Sequence, residues 1–168
     1  MIKTLITEKL YGNKKITIYE MEPSARNILT YNDVLGKKIN YFLAFPYVQI
    51  AARSFDYEKN AEVYASMSRK PADLSLNANE HYTIPLSNCY DNFVVCGITA
   101  LHKNAVEVFW NSLFHGDGYK GNEYLLKSSM KNLNVWQKMT KIAPEFILSD
   151  NCSYGSSPKK LIDTILWD

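Results

Sequence analysis

Apolar and polar positions alternate through much of the first hundred residues, and then the period lengthens. Ile2 to Thr7 and Lys15 to Met21 are two short β-rich runs joined by Tyr11-Gly12-Asn13-Lys14, a turn composition, so residues 1–22 read as an N-terminal hairpin. Pro23 to Lys38 is mixed: Ser24 is a cap-type residue, Ile28, Leu29 and Val34 are apolar, and Gly36 is a stop, which together read as a short helix. Asn40 to Ile50 is the most hydrophobic stretch and reads as a covered strand that must bend, bulge or lie at an edge at Pro46, which cannot donate to a ladder. Glu62 to Arg69 alternates Val63, Ala65 and Met67 against Tyr64, Ser66 and Ser68, the pattern of a half-exposed strand antiparallel to the one before it. Leu74 to Leu86 is loop-like, Asn88 to Asn92 is a turn, and Phe93 to Cys96 is a short apolar run.

Beyond Gly97, Val106, Phe109, Trp110, Leu113 and Phe114 recur at helical spacing, with Thr99 as cap and Gly116 as stop. Asn122 to Ile142 reads as a second helix with Leu126, Met130, Leu133 and Trp136 inward. Ser157-Pro158 opens a last one carrying Leu161, Ile162, Ile165 and Leu166. Strands precede helices with no βαβ alternation, so the expectation is one α+β domain over residues 1–168. In it an antiparallel meander in the N-terminal half is packed by C-terminal helices, the sheet and a candidate active segment occupy 39–97, and the helical part occupies 99–168.

Composition narrows the function classes. Nineteen Lys and Arg against seventeen Asp and Glu leave a net charge of +2 in 168 residues, no field for holding a polyanion. A nucleic-acid reading rests on basic clusters such as Lys37-Lys38 and Lys159-Lys160, and solvated faces account for them. The expected partners are other proteins. The longest apolar run, Tyr41 to Ala52, falls short of the ~20 residues of a membrane span. Nothing near the N-terminus resembles a signal peptide, and three cysteines are an odd number, so reduced thiols in a cytoplasm-like compartment are expected. The phosphate-loop, HExxH, GxSxG and CxxC motifs are missing. His81, Cys89, Cys96, His102 and His115 match no tight zinc spacing, so neither metal nor cofactor is expected.

One segment stands out, Pro85-Leu86-Ser87-Asn88-Cys89-Tyr90-Asp91-Asn92-Phe93-Val94-Val95-Cys96-Gly97. Cys96 follows Asn88 by eight residues around an Asp-Asn turn, with an apolar pair directly before the cysteine. This resembles the active-site segment of ubiquitin-conjugating enzymes, in which a His-Pro-Asn motif is followed by the thioester-forming Cys. Here Leu86-Ser87-Asn88 stands in place of His-Pro-Asn, and Gly97 in place of the common Leu. The chain is more similar to the prokaryotic relatives of that fold, the plasmid and phage family that includes protein B of the PRTRC system. The likeness rests on Arg69-Lys70-Pro71, on Pro85, Asn88 and Tyr90, on Val95-Cys96-Gly97, on Ser112-Leu113-Phe114-His115 and on Trp136, covering about Asn60 to Met139.

The resemblance implies a ubiquitin-conjugating-enzyme-like fold and a carrier of a ubiquitin-like modifier. Cys96 would be the acyl-bearing nucleophile and the Asn88 amide the oxyanion donor. Asp91, with Asp117 or Asp150, would orient or deprotonate an incoming lysine, and His115 or His102 would lower the Cys96 pKa. The residues alone leave a second reading open. Cys96 after Phe93-Val94-Val95 also suits a core position at a strand end, Asn88 and Asp91 suit an ordinary turn, and His81 and His102 suit solvent. On that reading the chain is a non-catalytic interaction or structural module of a phage or mobile element.

Overall fold

Gly12, at φ +62°, closes β1 (Thr4–Tyr11) onto β2 (Lys14–Met21) as an antiparallel pair. The computed structural model describes residues 3–32, 35–56, 58–72, 79–86, 88–115, 133–144 and 158–167. The expected helical stretch 122–132, Ser87, Asp117, Asp150 and Cys152 lie outside them. After β2 the chain makes a second hairpin, β3 (Ser24–Asn32) with β4 (Lys37–Phe45), where the sequence pattern suggested a helix. The reason is the period: Ile28, Thr30 and Asn32 are buried at every second position, and a helix would turn one of them to solvent.

Pro46 then divides the hydrophobic stretch 40–50 between two sheets. β4 ends at Phe45, and β5 (Tyr47–Phe55) joins the first sheet beside β2. β6 (Ala61–Ser68), β7 (His81–Thr83) and β8 (Val94–Ala100) follow. The larger sheet runs β1-β2-β5-β6-β7, with β8 also on β6. The smaller runs β4-β3-β9, where β9 (Phe114–His115) lies parallel to β3. The fold is therefore α+β and mostly antiparallel, with the β3–β4 hairpin leaving the meander to form a second layer.

Alternate residues of the large sheet face opposite cores. Ile50, Ala52, Val63, Ala65 and Met67 join Ile28, Leu43 and Phe45 of the small sheet, Val106, Phe109 and Trp110 of α1 (Ala105–Trp110) and Trp136 of α2 (Leu133–Ile142). Phe45 meets Trp110 and Trp136 edge-on, with centroids 5.2 and 4.9 Å apart. On the other face Ile16, Ile18, Ala51 and Tyr64 pack with Phe93 and with Leu161, Ile162 and Ile165 of α3 (Leu161–Trp167). Arg53, ion-paired with Glu62, donates to the Ile165 carbonyl at 2.8 Å, and Lys14 donates to that of Leu166 at 2.6 Å. Both cations complement the C-terminal end of that helix.

Two further expectations need correction. β6 is covered on both faces except at Glu62. Its polar side is a buried hydrogen-bonded row: Gln49 Nε2 donates to Glu20 at 2.7 Å and to Ser68 Oγ at 2.8 Å, and Ser66 Oγ lies 3.2 Å from the buried His81. Alternation in sequence thus marks two kinds of interior. The helix after Gly97 is also shorter than its apolar period. Thr99 belongs to β8, a 3₁₀ turn spans His102–Asn104, and α1 stops at Trp110. Ser112 Oγ returns to the Val108 carbonyl at 2.8 Å, and Phe114 reaches the core from β9 instead. Among the described residues no helix is long and apolar enough to cross a membrane.

Helix α2 lies along the outer edge of β4 and satisfies its backbone with side chains. Phe42 N–H donates to Gln137 Oε1 at 2.8 Å and Ala44 N–H to Thr140 Oγ1 at 2.9 Å, while Trp136 Nε1–H donates to the Ala44 carbonyl at 2.8 Å.

Candidate functional site

Residues 88–96 fold back on themselves as a tight hairpin. Tyr90 N–H donates to Val94 O and Phe93 N–H to Tyr90 O, both at 2.9 Å, and Cys89 bridges Val95. Cys96 N–H then donates to Asn88 O at 2.8 Å. The eight-residue spacing thus seats Asn88 opposite Cys96, and the two cysteines of the segment emerge on opposite faces.

Burial follows that geometry. Cys89 is fully buried, and desolvation pushes its thiol far above the usual range, so it stays protonated and inert. Cys96 is exposed. The cause is a wide irregularity between β6 and β8: Tyr64 pairs with Val94 and Glu62 with Thr99, so Val95, Cys96, Gly97 and Ile98 stand against Val63 alone. Gly97 takes φ +78° in this bulge, and a Cβ there would meet nothing within 4 Å, so the backbone angle alone calls for glycine. The core reading of Cys96 does not hold.

The sequence-predicted partners are placed unevenly. Asn88 is half-buried, and its Nδ2 makes a long 3.4 Å contact to the Leu113 carbonyl just beyond α1. Asp91 sits at the hairpin tip and turns to Lys159, which donates to the Asp91 carbonyl at 2.5 Å and lies 3.6 Å from its carboxylate. His102 is committed elsewhere, with Nδ1 2.8 Å from Thr17 Oγ1 and Nε2 2.8 Å from Ser54 Oγ. Partial burial, aided by Lys15 and opposed by Glu8, lowers its pKa, so neither it nor the buried His81 is a solvated surface group. The His115 backbone lies in β9. Among the described residues no group of three or more His, Cys, Asp or Glu is arranged to hold a metal.

A shallow groove of about 600 Å³ begins at Ile98, two residues past Cys96, and follows α1 along Asn104, Glu107, Val108, Asn111 and Ser112. Spacing alone did not single out Lys159 or Phe93 as parts of this site. Phe93 is a buried non-glycine residue at φ +69°, a strained conformation at the hairpin tip. Its only sequence signal was a bulky residue directly after an Asp-Asn turn. No family model matches the chain, and neither curated proteins nor solved structures match it.

Proposed function

We propose that this protein carries an acyl group as a thioester on Cys96, as a ubiquitin-conjugating-enzyme-like carrier of a small modifier protein. The observation that carries the reading is the β8 bulge, which turns Cys96 outward beside Asn88 while its neighbours Val95 and Cys89 stay buried. Bulges that re-aim one side chain are enriched beside reactive centres, and an exposed thiol is what exchange chemistry requires.

In the first step the Cys96 thiolate attacks the carbonyl of a donor thioester, a C–S bond forms, and the donor thiolate leaves with the electron pair. Exchange between thiols is close to neutral in free energy. In the second step an amine attacks the same carbonyl, the Cys96 thiolate departs, and the amine proton passes to water or to a basic group of the acceptor. The Asn88 amide, carried opposite Cys96 by the hairpin pairing, serves the developing oxyanion. The groove along α1 offers room for an extended chain end leading to Cys96.

A second reading is a non-catalytic interaction module on the same fold. It is favoured by the engagement of Asp91 with Lys159, which takes the expected base away from an incoming amine. The test offers the full chain a Gly-Gly-ending peptide thioester and follows site-resolved acylation by mass spectrometry. A linear peptide of residues 85–99 is the reference. The carrier reading expects Cys96 to react at least about tenfold faster than in the peptide, with the adduct lost in Cys96→Ala and released by an amine. Reaction at the peptide's rate supports the module instead.

A further inference from the structure

The tip of the Cys96 hairpin is held by a segment nearly seventy residues away in the chain. Residues 158–160 run beside β7, with His81 N–H donating to Lys159 O at 3.0 Å and Lys159 N–H to His81 O at 2.8 Å. From that fixed backbone the Lys159 ammonium reaches the Asp91 carbonyl at 2.5 Å, with the Asp91 carboxylate 3.6 Å away. Two residues later α3 begins, and Leu161, Ile162 and Ile165 pack in the cluster that holds Phe93.

Phe93 explains why the tip needs holding. A bulky side chain at φ +69° persists only where its surroundings over-determine it. Three constraints converge here: the ring is buried in the α3 cluster, the Phe93 carbonyl accepts from Ala65 N–H at 2.8 Å, and the preceding turn is pinned through Asp91 O. The same hairpin carries Asn88 opposite Cys96, so its tilt sets where the thiol and the amide stand relative to each other.

We infer that Lys159 is a positioning residue for the Cys96 site: its ammonium, anchored by the pairing with His81, clamps the Asp91 carbonyl and holds the strained turn from which Asn88 and Cys96 take their alignment. The inference rests on the thioester reading for its catalytic consequence and on geometry alone for the clamp. Lys159 does not touch the reacting atoms in this role.

Two measurements on the full chain test it. In the first, peptide-thioester transfer to Cys96 is followed at increasing donor concentration in Lys159→Ala, Lys159→Arg and the neighbouring exposed control Lys160→Ala. Lys159→Ala is expected to lower the saturating rate by roughly two- to fivefold, the range an exposed charge-assisted contact supports, with the half-saturating concentration unchanged. Lys159→Arg restores the rate, and Lys160→Ala keeps it. In the second, amide hydrogen exchange at Tyr90, Phe93 and Cys96 quickens several-fold in Lys159→Ala and stays at the parent level in the other two. Parent-like exchange and rate in Lys159→Ala, or failure of arginine to restore them, overturns the clamp. If the parent protein itself gives no transfer above the peptide reference, the thioester reading fails, and the exchange arm alone decides the clamp.

Discussion

Gly97 supplies a backbone angle and no contact, which makes it a clean probe of the bulge. Gly97→Ala should cost about 1–2 kcal/mol, the penalty of forcing an L side chain into the left-handed region, with no steric clash to add to it. A shift in the urea midpoint at unchanged m-value checks this. The two cysteines of the segment offer a second comparison. Iodoacetamide should label Cys96 in the folded protein and reach Cys89 only on unfolding, because one thiol is exposed and the other buried and held protonated. Peptide mass mapping across a urea series reads both, and equal labelling in buffer would contradict the hairpin geometry. Asn88 and Cys96 were legible together because an antiparallel turn of fixed length places its ends opposite each other. Exposure of the thiol was not legible, since it depends on β6 contributing one residue where β8 contributes four.

Among the elements, periodicity served where one face met one neighbour. The β1–β2 hairpin and the helices at 133–142 and 161–167 follow from such patterns. It misled where burial had two sources. β3 has the spacing of a strand inside a mixed composition, and Phe114 completes a helical period from a strand. Trp136 illustrates what pattern cannot give: its place on the inner face of α2 is predictable, but its hydrogen bond to the Ala44 carbonyl depends on a strand more than ninety residues earlier. Trp136→Phe should destabilise the protein by about 2 kcal/mol, combining an unpaired buried acceptor with a smaller ring in contact with Phe45. Calorimetry or chemical denaturation measures it, and a loss well below that would mean that water reaches the Ala44 carbonyl.

Across the whole molecule, His102 joins β2, β5 and the turn into α1 through Thr17 and Ser54. Its folded pKa lies below the ordinary value near 6.5, first because burial disfavours the cation and then because Lys15 faces it, with Glu8 opposing. The unfolded chain therefore binds the proton more readily, and stability rises with pH between the folded pKa and about 6.5. Acidifying from pH 7.5 to 5.5 should lower the denaturation midpoint, and His102→Gln should flatten that window. Glu8 acts at more acid pH: its hydrogen bond to Lys15 lowers its pKa, so its contribution fades only as the carboxylate protonates. The order of strands in two sheets was not legible, because a Pro46 that must bend does not say into which sheet the chain turns. That division has a consequence for solution behaviour. Phe42-Leu43-Ala44-Phe45 is an uncharged run on an outermost strand, and Gln137, Thr140 and Trp136 occupy the groups through which another chain would add to it. Lifting α2 opens a sticky seam in an otherwise native molecule, so Thr140→Val should shorten shelf life by aggregation, read by light scattering, at temperatures where circular dichroism still reports a folded protein.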